Sequence, residues 1–224
     1  WYDEPLKSGD ESLYKPRDSR DFLMGKILED VDYAIQHLAT TKSKYRVTKW
    51  TALALKSRIF LFEGTYRKYQ GLSGYENYLK EAVSASEAFI KDSPYSIYNT
   101  GSTPYRDLFA ANYVLDEEVI LGRNYNLGLN IVHSANQYFI SGGTKPGLNK
   151  KITDSYLMND GSRFTDKTNY QMMQFYQETQ NRDPRLSQTI VTPGFKRIND
   201  SQVLSPDFAA ASTGYQIIKW VTDK

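Results

Sequence analysis

The chain has 224 residues, a net charge of +2, 40% hydrophobic and 24% charged residues. These are values of a globular protein long enough to bury a core, and the near-neutral balance gives no electrostatic case for nucleic acid or an anionic surface. The absence of cysteine excludes disulfides, thiol catalysis and cysteine zinc sites, and no apolar run approaches the ~20 residues of a membrane span.

Trp1 to Arg17 reads as irregular, broken by Pro5, Gly9 and Pro16. Asp18 or Ser19 caps a predicted helix to about Ala39, with Met24, Ile27, Leu28, Val31, Ile35 and Leu38 as its apolar stripe. After a polar loop, Thr48 to Tyr69 forms the central helix. Ala52, Leu55, Ile59, Phe62 and Tyr66 line one expected buried face, and Trp50, Ala54, Ser57, Leu61 and Gly64 a second. The small residues of the second face would let a neighbouring helix approach closely. Lys49, Lys56, Glu63 and Arg67 are expected to face water. A third helix is predicted over Gly74 to Lys91, with Pro94 ending it.

After Ser93 the texture changes. Tyr105 to Ala111 reads as a short helix, and Glu117 to Gly122, Ile190 to Val191 and Tyr215 to Val221 as short strands. Asp154 to Leu157 reads as one helical turn and Thr168 to Glu178 as a further weak helix. Asn124 to Lys151, rich in Gly, Asn, Ser and Tyr, has no sustained period; a loop of that size in a compact domain is usually functional. The expected fold class is mainly α: degenerate tetratricopeptide-like helical hairpins over residues 1–92, with an irregular, loop-rich part carrying short strands over 93–224 packed on them.

Several segments resemble one family in order. KWTALALKSR with EGTYRKY, WYDEPL (Tyr2 standing where Gly is usual), ILEDVDYAIQHL, EEVILGRNYN, TDSYLMNDGSRF and NRDPRLSQTIVTPG are similar to segments of the SusD/RagB nutrient-binding lipoproteins of Bacteroidetes, as is the final TGYQIIKWV. The resemblance implies a non-catalytic protein on the outer-membrane surface. Such a protein captures oligosaccharide and sits on a SusC-like TonB-dependent transporter, held to the membrane only through a lipid anchor. It also implies that this sequence is a fragment, with the lipid-bearing cysteine upstream of Trp1 and further helices after Lys224. A second reading is a helical module that binds peptides or proteins for uptake or assembly.

Enzyme and cofactor signatures are absent: no H-E-x-x-H, P-loop or G-x-G-x-x-G occurs. His37 and His133 lack a hydrolase pattern around them. Adjacent Glu117 and Glu118 would point to opposite faces of a strand and cannot flank one glycosidic bond. Asp160-Gly161 reads as a turn, and Arg182 to Leu186 as a turn in which an arginine ties Asp183. The better candidates combine flat rings, which stack on sugar C–H faces, with amide and guanidinium donors for hydroxyls. Arg123, Tyr125 and Asn126, with Asn136, Gln137 and Tyr138, have that composition. The resemblance places ligand-contacting loops in this region. The competing expectation is that Tyr125 and Tyr138 pack the loop onto the rest of the chain.

Overall fold

The computed structural model describes residues 1–141 and 144–222. Residues 142–143 of the expected Asn124 to Lys151 loop, and the chain end at 223–224, lie outside the described residues. The helices are α1 (Arg20–His37), α2 (Lys49–Tyr69), α3 (Tyr75–Asp92), α4 (Pro104–Ala110), α5 (Lys150–Ser155), α6 (Phe175–Glu178) and α7 (Pro184–Ser187). The described residues contain isolated β-bridges and no sheet, so the chain is mainly helical. It divides into two compact units. The first is Trp1–Tyr95 with Val119–Gly122, and the second is Ser96–Glu118 with Arg123–Lys224.

In the first unit the helix starts follow from local chemistry. Ser19 Oγ accepts the Phe22 amide at the head of α1. Thr48 and Thr51 form a reciprocal capping box on α2. Gly74, at φ 77°, supplies the left-handed turn before α3. Helix α2 packs on both its neighbours. Phe60 lies between Met24 of α1 and Ala82 of α3, and Trp50 and Leu53 pack on Ala85. On the α3 side the expected close approach is present. A Cβ on Gly64 would stand 2.6 Å from Leu79 Cδ2 and 3.1 Å from its backbone nitrogen. Ser57 and Ser86 hydroxyls meet at 2.6 Å.

Leu61 of that second face is exposed, and the other expected face of α2 is only partly buried: Ala52 is buried and Ile59 packs on the Met24–Phe60–Ala82 cluster, but the rest is turned outward. Leu55 and Phe62 are 49% and 64% exposed and Tyr66 is also exposed, whereas Lys56, Glu63 and Arg67 are buried. Each buried charge has a partner on a flanking helix or on α2 itself. Glu63, 1% exposed, accepts Arg20 Nε at 2.9 Å and Nη2 at 2.6 Å from α1, and Arg67 Nε at 2.7 Å. Arg67 also pairs with Asp21 of α1 and lies over the Tyr78 ring at 4.8 Å. Lys56 joins Asp32 of α1 to Glu81 of α3, 2.7 Å from each. Burial opposes ionisation of Glu63, but the Arg20 and Arg67 hydrogen bonds outweigh it and hold the carboxyl below its ordinary range.

The second unit is built without regular strands. Glu117 to Gly122 is a turn rather than a strand, with Glu117 O accepting the Ser96 amide and Glu118 the Tyr98 amide. The expected strands at Ile190 to Val191 and Tyr215 to Val221 reduce to isolated antiparallel bridges: Ile190 pairs with Ile217, flanked by the bonds Val191 N to Gln216 O and Ile218 N to Thr189 O, and Gln216 pairs with Gly147. Leu186, Ile190 and Tyr215 form the apolar centre there. Two long cationic side chains, the buried Arg182 and the partly buried Lys150, supply much of the remaining order. Arg182 donates to the carbonyls of Glu178, Thr153 and Tyr156 at 2.6, 2.8 and 2.9 Å, with its guanidinium 3.9 Å from the Phe164 ring centroid. Lys150 Nζ reaches Glu178, Asp154 and Tyr215 Oη at 2.9, 3.2 and 3.3 Å. Burial alone would lower the Lys150 pKa, but these three partners overcome it and raise it above the ordinary lysine range.

This facing of α2 makes two predictions for the first unit. Leu55→Ala should change stability by no more than ~0.5 kcal/mol, as at a surface site, whereas Glu63→Ala, which breaks a buried ion pair and leaves Arg67 only its Asp21 and Ser73 partners, should cost about 3–5 kcal/mol. Because the folded pKa of Glu63 lies below the unfolded carboxyl value of about 4.3, its contribution is full above that pH and is lost as the pH falls through the folded value. Glu63→Gln should therefore flatten the acid limb of stability against pH, measured by urea unfolding followed at the helix circular dichroism band. An unchanged acid limb would show that Glu63 does not control it.

Candidate functional site

The second unit carries a surface built from two chain segments. The first is the loop singled out by its composition. Asn126 and Ile131 pair across an antiparallel bridge, with the Asn126 amide donating to Ile131 O at 2.8 Å, while Asn126 Oδ1 accepts the Leu129 amide at 3.1 Å and closes the turn. The Arg123 guanidinium lies 5.2 Å from the Tyr125 ring centroid, and His133 meets the same ring edge-on at 4.7 Å. Arg123, Tyr125 and His133 thus form one exposed stack, with Tyr125 40% exposed. Gln137 and Tyr138 begin a π-helical turn, Gln137–Ser141, and Tyr138 is 53% exposed with its ring edge-on to Phe139. Asn136 faces the chain instead: its Nδ2 donates to Thr222 O at 2.7 Å and its Oδ1 accepts the Thr222 amide at 2.9 Å.

These two hydrogen bonds tie the loop to the second segment, which the sequence suggests only as the end of a strand over Tyr215 to Val221. Trp220 has φ 63° and its side of the chain is 48% exposed. A left-handed backbone costs a bulky residue about 1–2 kcal/mol, and such strain persists only where the surroundings impose it. Here the surroundings are an aromatic cluster on α4. Phe109 meets the Trp220 ring edge-on at 5.8 Å and Tyr105 meets Phe109 at 5.1 Å. The Lys219 ammonium sits among them, 3.9 Å from the Phe109 centroid, 4.7 Å from Tyr105 and 5.2 Å from Trp220, and donates to Tyr105 Oη at 2.6 Å. Pro104 at the first turn fixes the start of α4, and the four-residue spacing places Tyr105 and Phe109 on one face. Residues 107–224 match the model of the SusD family. The chain belongs to the SusD family.

A solved SusD-like protein from Bacteroides fragilis has the same fold, with a TM-score of 0.70 at 21% identity over 99% of this chain. The match covers 46% of that protein, so the present chain spans about half its length. This likeness accounts for the tetratricopeptide-like packing of α1 to α3. No curated protein sequence matches the chain significantly. The family segments are visible as structure. In the Tyr-x-x-x-Asp-Gly segment Asp160 Oδ1 accepts the Ser162 amide at 2.9 Å, and Gly161, at φ 82°, completes the turn. In the Arg-Asp-Pro-Arg-Leu segment Arg182 is the buried guanidinium described above. Asp183 caps α7 and is held by Arg185 Nε at 3.0 Å.

Tyr105, Phe109, Lys219 and Trp220 form one partly exposed cluster of rings around an ammonium, and only the α4 spacing of the two rings signals it in the sequence. The Trp220 strain depends on its neighbours and is invisible there. Trp220→Asn should test whether the ring is core or platform. Asn suits the left-handed conformation, and the ring it replaces is half exposed, so relieved strain and lost packing should offset each other. We expect stability within about 1 kcal/mol of the parent by chemical unfolding; a loss above ~3 kcal/mol would assign the ring to the core.

Proposed function

We propose that this chain is a non-catalytic oligosaccharide-binding part of a cell-surface protein that delivers glycan to a SusC-like TonB-dependent transporter in the outer membrane. The observation that carries the reading is Trp220: a strained, half-exposed indole held in place by Phe109 and Lys219. An apolar ring kept in solvent at a conformational cost suits the C–H face of a sugar. Capture at such a surface needs no chemistry, because concentrating the glycan at the pore mouth acts through effective concentration.

The loop supplies the complement. Arg123, Tyr125, Asn126, Gln137 and Tyr138 offer rings, amides and one guanidinium toward hydroxyls, while Asn136 serves by fixing the loop to Thr222. Family membership supports glycan binding, uptake and a surface location. Among the described residues no helix is long and apolar enough to cross a membrane, and the reading places the membrane attachment in a lipid anchor outside this sequence.

The test is a glycan array followed by calorimetry on the strongest oligosaccharide. Trp220→Asn should weaken binding by roughly tenfold, and Tyr125→Ala and Tyr138→Ala together by a similar factor, with thermal unfolding unchanged. Chromatography after prolonged incubation should return the oligosaccharide intact. Binding that survives all three substitutions would place the sugar elsewhere, and cleaved product would replace this reading with a glycosidase.

A further inference from the structure

We propose that the cleft between α5 and the Phe164 to Tyr170 segment is a second binding site, selective for a carboxylated sugar such as a uronic acid. The cleft lies wholly in the second unit and encloses about 600 Å3, within the range of small-ligand sites. One wall is the face of α5 that carries Lys151, Asp154 and Ser155 at helical spacing. The opposite wall holds Arg163 and Thr165, with Tyr170 set edge-on against the buried Phe164 ring at 5.6 Å.

The polar groups define the ligand. Asp154 has a side chain only 14% exposed, and its Oδ1 accepts from Lys150 at 3.2 Å. Among the described residues its Oδ2 receives no hydrogen bond. It is therefore a fixed acceptor, already charge-compensated, suited to a hydroxyl donor. Arg163 and Lys151 make no side-chain ion pair among the described residues, although both line the cleft. Lys150 is shared between Asp154 and Glu178, and the lining itself sets two cations, Lys151 and Arg163, against the one carboxylate of Asp154, which leaves the cleft net positive. A guanidinium fork matches a carboxylate in two parallel bonds. A ligand that brings a carboxylate to Arg163, hydroxyls to Asp154 and Thr165, and a flat C–H face to Tyr170 uses each of these groups. Free inorganic sulfate would answer the cations but would bring no hydroxyl to Asp154 and no C–H face to Tyr170. A neutral sugar would leave both cations unanswered.

This site is separate from Trp220, so the two readings fail independently. Digalacturonate and its neutral counterpart galactobiose are titrated into the protein, with binding read by calorimetry and by amide shifts of α5. Digalacturonate should bind and galactobiose should bind at least roughly tenfold more weakly. Arg163→Ala, a change at an exposed side chain, should abolish that preference. Trp220→Asn should leave it intact. Tyr170→Ala should weaken both sugars by a similar factor, with the fold checked by thermal unfolding. Equal affinity for the two sugars, no binding of digalacturonate, retention of the preference in Arg163→Ala, or tighter binding of inorganic sulfate would each overturn the assignment.

Discussion

The carboxylate of Glu63 decides how the first unit is assembled. A charge taken almost wholly out of water is tolerable only if its hydrogen-bonding capacity is met, and two guanidiniums meet it, Arg20 from α1 and Arg67 from α2. The bond to Arg20 fixes the rotation of α2 and the register of α1 at once. Turning α2 to bury Leu55 and Phe62 would take Glu63 and Lys56 away from Arg20, Asp32 and Glu81. The network is thus a selector of one packing over another of similar apolar content. Its net contribution to stability is a smaller matter, because desolvation consumes much of the Coulombic gain.

The consequence is an α2 with Leu55, Phe62 and Tyr66 outward and Ile59 only partly covered. Leu55, Ile59 and Phe62 line an open groove with Met24, and Arg58 stands at its edge. Monomeric proteins expose scattered apolar side chains freely, but a stripe along one helix is a different observation. It follows from the same ionic choice, since a helix of this composition carries more apolar residues than one buried arc can accept.

Helix existence, type and ends in the first unit were legible because they rest on local chemistry: the Ser19 and Thr48 caps, Gly74 and Pro94. Facing was half legible. The small residues Ser57 and Gly64 pointed correctly to α3, since close approach needs the absence of side chain. The ionic face was misread because Lys56, Glu63 and Arg67 look solvated when α2 is taken alone. The available signal was on the partner helix, where Arg20, Asp21 and Asp32 share the stripe of Met24 and Val31. In the second unit the apolar runs at Ile190 and Tyr215 were visible, but their pairing shrank to a single bridge. There the backbone is satisfied by Arg182, whose long-range bonds to Thr153 and Tyr156 carbonyls leave no local mark in the sequence.

That substitution of side chains for ladders bears on how a loop-rich unit can present a defined surface. A ladder satisfies backbone groups in regular order and leaves alternate side chains on one face. Buried Arg182 instead satisfies carbonyls from the inside, and the half-exposed Lys150 gathers two carboxylates, so the chain around them can turn irregularly and still be held. Trp220 depends on this arrangement. Its left-handed backbone lies between Ile218, which is anchored by its amide to Thr189, and Thr222, which is anchored to Asn136. Fixed on both sides, the segment cannot relax the Trp220 backbone without breaking one of those bonds, each worth about 0.5–1.5 kcal/mol, which is comparable to the strain itself. The indole is therefore held outward by bonds made elsewhere. Tyr125 and Tyr138 lie on the loop that the same Asn136 bonds tie down, so the order of that loop and of the Trp220 segment rests on shared hydrogen bonds.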